Sequence, residues 1–146
     1  MTASKQAIER FMFEAFPHSQ FTIEDAQPRT ATIRRPVFAE DKRPGGTVSG
    51  PTLMALADTA LYVAIHATLG ITPHAVTSSL NINFLRRPAG DQAVLAVCHL
   101  LKVGRTLVVG EVSLYSEGGS PDEPVAHVVG SYAIPAKTPA DSPPGL

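Results

Sequence analysis

Between Arg43 and Arg86 the chain carries one formally charged residue, Asp58, and it lies in the middle of "GPTLMALADTALYVAIHATL", the most apolar run of the sequence. An ionised carboxylate without partners in such a setting is costly. Two readings follow. The acid is satisfied structurally, by a hydroxyl, a backbone group or an arginine across an interface. Otherwise it is a general base or nucleophile at the edge of a cleft, where perturbed acids cluster. Two helical turns upstream, about 11 Å at 5.4 Å pitch, stands "SGPT", residues 49–52. A helix starting there offers unpaired N–H groups and the positive end of its dipole, which suit a developing oxyanion. Gly50 allows a carbonyl to approach the backbone closely. Carboxylate and oxyanion donor together are ingredients for attack on a carbonyl, and the two ends need not belong to the same subunit's site.

Other chemistries fit less well. Gly45 and Gly50 have phosphate-loop separation, but Pro51-Thr52 stands where Lys-Ser/Thr is needed. Ser49 follows Thr47-Val48, so the pattern of a nucleophile elbow fails. His18, His66, His74, His99 and His127 are scattered without ligand spacing, and no metal site is expected. Cys98 and His99 are neighbours on a strand and so face opposite ways, which leaves Cys98 as a small core residue.

The elements that must hold Asp58 are legible in outline. Ser4 to Phe16 reads as a short amphipathic helix stopped by Pro17. Phe21 to Glu24 and Thr30 to Arg34 read as strands around a turn at Ala26-Gln27-Pro28, and Pro36 to Val48 as a loop. Ser49 as N-cap with Pro51 in the first turn opens a helix that ends at Gly70. In "AVTSSLNINFL" the period changes to two. Strict alternation puts Val76, Leu80, Ile82 and Phe84 on one face and Thr77, Ser79, Asn81 and Asn83 on the other. Three further strands follow, in "AVLAVCHLLKV", "TLVVGEVSLYS" and "VAHVVGSYAI". One long helix among antiparallel strands predicts an α+β fold, a curved sheet wrapped around a central helix. A helix apolar nearly all round must be covered nearly all round, and a partner subunit would cover what the sheet leaves.

The 146 residues divide into an N-terminal helix (1–20), one main domain (21–136) and a Pro-rich tail (137–146). A net charge of −1 without basic runs gives nucleic acid little to grip. The Gly50–Leu69 run, interrupted by Asp58 and His66, reads as a buried helix rather than a membrane span. No basic stretch followed by an apolar run opens the chain, and Cys98 is its only cysteine, so a cytoplasmic protein is expected.

"GGTVSGPTLMALADTA" resembles the helix-start segment of the hotdog-fold acyl-CoA thioesterases, in particular the phenylacetate-pathway (PaaI-like) branch. "VTSSLNINFLRRPAGD" is similar to that family's next strand and its Arg-Pro-Ala turn, and the likeness spans about residues 30 to 135. The resemblance implies a hotdog fold, assembly into dimers and often tetramers with sites at the dimer interface, and hydrolysis of a small or medium acyl-CoA without a cofactor other than the substrate's own coenzyme A. It implies Asp58 as the catalytic acid, the Gly50 N–H as oxyanion donor and Thr77 as the hydroxyl that helps to place water. Ser49 stands where the family has His, Pro51 where it has a second Gly, and Arg43 where Asn or Gln often holds the attacking group. Arg86, Arg87 and Arg105 are candidates for the coenzyme A phosphates, because guanidinium forks match phosphate oxygens. Asn81, on the polar face of its strand, is a further substrate-binding candidate. The lost His and Gly leave a second hypothesis, an acyl-CoA or small-ligand binding protein without catalysis. Phe and Tyr are few, so no aromatic-lined pocket is signalled.

Overall fold

The computed structural model describes residues 2–136. Helix α1 (Lys5–Ala15) opens the fold, with Ser4 as its N-cap accepting from the Ala7 N–H. Strands β1 (Thr22–Gln27) and β2 (Thr30–Arg35) follow. β1 runs through the residues expected to turn, and the turn is made at Pro28-Arg29, with Arg29 at φ 72°. The expected loop before the central helix contains a 3-10 turn (Ala39–Asp41) and a small hairpin of β3 (Lys42–Arg43) and β4 (Thr47–Val48). Helix α2 (Gly50–Leu69) is capped by Ser49 at one end and Gly70, at φ 91°, at the other. Then come β5 (Val76–Phe84), β6 (Val94–Val103), β7 (Leu107–Ser116) and β8 (Ala126–Ala133). The tail expected at 137–146 lies outside the described residues.

Six strands form one fully antiparallel sheet in the order β1-β2-β6-β7-β8-β5. The long helix lies along its concave face, which is the expected hotdog arrangement. Period-two patterning builds that face. Ala31, Cys98, Val112, Val128 and Ile82 form a single row across five strands, and all but Ile82 are fully buried. Burial also pushes the Cys98 thiol up to about 12, which suits a core residue and no thiolate chemistry.

The neighbouring row carries Gly110 and Gly130, paired with each other across β7 and β8. A Cβ on either would come within 2.7 Å of a Leu61 methyl. The two glycines therefore make a floor on which Leu61 sits, and Ala57, Ala60, Ala64 and Ala67 let the helix lie close to the strands. Burying Leu61 there contributes about 1.5–3 kcal/mol. α1 closes one end of the same core through Ile8 and Met12.

α2 is long and apolar enough by composition to cross a membrane, but ten of its residues are buried in this core. Its remaining face, Met54 and Ala55 with Asp58, Thr59 and Tyr62 further along, is open or half open. β5 ends the sheet next to that face, bonded to β8 on one side and to no strand on the other among the described residues.

Candidate active site

Asp58 lies two turns into α2, on the rim of the open face, and its side chain is half buried. Two hydroxyls from different strands meet it. Thr77 Oγ1 on β5 donates to Asp58 Oδ1 at 2.8 Å. Tyr132 OH on β8 lies 2.6 Å from the same Oδ1 and 3.1 Å from the Asp58 carbonyl oxygen. Both donors hold one carboxylate oxygen, and Oδ2 has no partner among the described residues. Burial, and then the Asp58 hydrogen bond, push the Tyr132 hydroxyl far up, so it remains a neutral donor. Its ring stacks on Tyr62, with centroids 6.1 Å apart.

Thr77 reaches Asp58 because β5 does not alternate strictly. It pairs with Tyr132, and Ser79 pairs with Ser131, so Ser78 is an extra residue in the ladder. That bulge shifts the side-chain phase by one. Strict alternation had put Thr77 with Ser79, Asn81 and Asn83; the structure turns it inward, to the side of Leu80 and Ile82. Bulges re-aim side chains in this way next to active sites. Asn81 stays on the outer face, exposed and opposite Val129, and does not join Asp58.

Asp58 borders a cleft of about 400 Å³. Its walls are largely aromatic and aliphatic: Met12 from α1 and Phe16 at that helix's C-cap, Phe21, Tyr62 from α2, and Val76 and Tyr132 from the sheet, with the hydroxyls of Ser19, Thr59 and Thr77 among them. Four of the nine Phe and Tyr residues meet here, a lining that composition did not signal.

The start of α2 is held firmly. Ser49 Oγ accepts from the Thr52 N–H at 3.3 Å and lies 2.9 Å from Thr52 Oγ1. The Ser49 N–H donates to the Asp41 carbonyl at 2.7 Å. The buried Asp41 carboxylate takes both oxygens to Arg35 at 2.9 and 3.0 Å and one to the Phe38 N–H. This ion pair is not legible in the sequence, where Arg35 and Asp41 look like two charges of an ordinary loop. Ser49 is thus a helix cap, as its position beside Gly50 and Pro51 indicates. The Gly50 N–H has no hydrogen-bond partner among the described residues, and a Cβ there would meet the Phe84 ring at 3.1 Å.

The candidate phosphate ligands divide between two places. Arg86 and Arg87 line a cleft of about 410 Å³ with Gly45, Gly46 and Thr47, where Arg86 Nη1 donates to the Pro124 carbonyl at 2.7 Å. Arg43 is exposed on the hairpin that carries this loop. Arg105 borders a different cleft of about 620 Å³ with His74, which touches the Asp58 cleft only at Pro73. One chain therefore does not gather all these arginines round one phosphate.

His66 is the one buried histidine among the described residues, and it stands beside Tyr62 of the site. Its Nδ1 accepts from the Thr72 N–H at 3.0 Å, Nε2 has no partner among the described residues, and its ring packs edge-on with Tyr62 and Phe11. Burial holds its imidazole down at about 4.

Residues 45–121 match the thioesterase superfamily. Similar solved structures include a Silicibacter protein provisionally named a thioesterase, 38% identical, with TM-score 0.83 over 91% of this chain and 92% of that one. A variant of the phenylacetic acid degradation protein PaaI from Thermus thermophilus is 25% identical, with TM-score 0.68 over 86% and 99%. A Streptococcus pneumoniae thioesterase protein solved with coenzyme A is 18% identical, with TM-score 0.69 over 80% and 90%, and it shares the fold.

Proposed function

Since the chain belongs to the thioesterase superfamily and is a thioester hydrolase, we propose that it hydrolyses a small or medium acyl-CoA with Asp58 as the general base. The observation that carries this reading is the carboxylate held at Oδ1 by Thr77 and Tyr132, with Oδ2 unpartnered, on the wall of an apolar cleft. Oδ2 takes a proton from water as the water oxygen attacks the thioester carbonyl. The carbonyl π electrons move to oxygen, and the oxyanion lies on an α2 N-terminus at Gly50. Collapse breaks the C–S bond. The coenzyme A thiolate leaves with the proton held by Asp58, and the acid ionises. The reading calls for no cofactor.

A water held by Asp58 must come within roughly 3 Å of a carbonyl held by Gly50, which leaves room for one water and one carbonyl between the two groups. Two turns of one helix separate them by about 11 Å. The reading therefore takes Gly50 from a second copy. The edge of β5 that pairs with no strand among the described residues, exposed Val76, Phe84 and Leu85, and the open face of α2 support a two-fold pairing there. Such a pairing lays the helices side by side, so that each N-terminus can meet the partner's Asp58. The same reading places the substrate phosphates among Arg86, Arg87 and Arg43, near the start of α2. That the Streptococcus pneumoniae protein of the same fold holds coenzyme A accords with this substrate class.

The test is release of free thiol from a panel of acyl-CoA esters, with light scattering on the same sample. Hydrolysis by a dimer or larger assembly is expected. No thiol release from any acyl-CoA would reject the substrate class, and an active monomer would reject the shared site.

A further inference from the structure

We propose, resting on the thioesterase reading above, that Phe16 and Phe21 are the wall that sets how long an acyl group this enzyme accepts. The Asp58 cleft ends against these two rings. Phe16 stands edge-on to Tyr62, with centroids 6.1 Å apart and planes at 80°. Behind it lies a second cleft of about 240 Å³ between α1 and β1, lined by Phe13 and Ile23 together with Glu9 and Thr22. Met12, Phe16, Ser19 and Phe21 border both spaces. Ser19, Phe21 and Thr59 also border a third cleft, of about 360 Å³, but that one carries the Arg35–Asp41 ion pair and Gln20. A methylene chain continuing beyond the first cleft avoids that ion pair only by passing Phe16 and Phe21 towards Phe13 and Ile23.

The chemistry of the walls defines the acyl class. Asp58 is the sole charged side chain among the described residues on the first cleft, so the acyl group that fills it is uncharged and, against Phe16 and Phe21, apolar. Its length is limited by side chains rather than by backbone. Phe16 lies just past the last residue of α1, at its C-cap, and is 44% exposed. The helix is anchored instead by the buried Ile8 and Met12. Shortening Phe16 opens the wall without removing the anchor.

The experiment measures kcat/KM for straight-chain acyl-CoA esters from acetyl to palmitoyl, in the wild type, Phe16→Ala and Phe21→Ala, with thermal melts of each. Each methylene newly buried is worth roughly fourfold in kcat/KM. The wild type should gain with chain length and then fall once the chain meets the wall. In the variants the longest chain hydrolysed at a tenth of the best kcat/KM should move out by two to four carbons. If Phe16→Ala does not fold, Phe16→Leu should give a smaller shift in the same direction. Folded variants whose profiles superimpose on the wild type would overturn the proposal, as would a wild type that accepts palmitoyl as readily as hexanoyl. A wild type inactive on every thioester would instead overturn the reading on which the proposal rests.

Discussion

Replacing Asp58 by Asn separates chemistry from structure at this site. The two side chains have nearly the same shape, and Oδ1 of the amide can still accept from Thr77 and Tyr132, now at 2.8 and 2.6 Å. Hydrogen bonds to a charged acceptor are roughly twice as strong as neutral ones. Making both neutral costs about 1–3 kcal/mol, and removing a half-buried charge returns part of that. The expected net effect on stability is about 1 kcal/mol, a few degrees in Tm for a chain of this size. The effect on turnover is far larger. The amide nitrogen at the Oδ2 position cannot accept a proton from water, and loss of a general base costs about 10²- to 10⁴-fold, or roughly 3–5 kcal/mol of barrier. Thiol release at saturating acyl-CoA gives kcat, and circular dichroism gives Tm on the same protein. A folded Asn variant with wild-type kcat would refute the base assignment. A variant that unfolds, while its residual native fraction turns over at full rate, would make Asp58 a structural acid.

Tyr132→Phe removes one of the two donors to Oδ1, a bond to a charged group worth about 1.5–3 kcal/mol, and kcat should fall about 10- to 100-fold with KM little changed; an unchanged kcat would reduce Tyr132 to packing. Ser49→Ala should lower stability by about 1 kcal/mol with turnover kept, and Ser49→Asn should restore it. Strong loss of turnover at unchanged Tm would instead move Ser49 into the site. His66 sets an acid limit on stability. Its folded value is depressed from 6.5 to about 4, so the unfolded chain takes up a proton first as pH falls. Stability from this group is complete above pH 6.5 and is lost progressively towards pH 4, by up to about 3 kcal/mol; denaturant melts of the wild type and His66→Gln over that window should differ in slope, and equal slopes would exclude His66.

The fold was legible because its signals are local. Ser49, Pro51 and Gly70 mark the ends of α2 by backbone chemistry alone. The inward rows of β6, β7 and β8 follow from alternation within each strand. The short ladder of β3 and β4 was missed because two-residue strands carry no periodicity. The Arg35–Asp41 pair was missed because its cause is tertiary: the carboxylate is buried only once the loop folds back onto the start of α2. The aromatic lining of the cleft was missed for a similar reason. Phe16, Phe21, Tyr62 and Tyr132 are sparse along the chain and adjacent only in space.

At the site itself, Asp58 was visible as a lone charge, whereas its partners depended on geometry that alternation alone misplaces. Thr77 was assigned by resemblance, yet strict alternation turned it away from the helix, and only the extra residue at Ser78 reconciles the two. A run of three hydroxyl residues, Thr77-Ser78-Ser79, gives no residue that must face inward, so nothing in the sequence locates the slip. Tyr132 carried a clearer signal. On β8 the inward positions are Ala126, Val128, Gly130 and Tyr132, and a phenol on an otherwise apolar inner face needs an acceptor. Between Arg43 and Arg86 the one carboxylate that could accept was Asp58, on α2. Matching an inward hydroxyl to a lone carboxylate would have linked residues 74 positions apart. The same requirement works in reverse: with two hydroxyls on one oxygen, the carboxylate is satisfied as a structural group through Oδ1 and still has Oδ2 available for water. The structural and catalytic readings of Asp58 are therefore assigned to different atoms of one side chain, which is why a substitution that preserves Oδ1 and changes only Oδ2 can tell them apart.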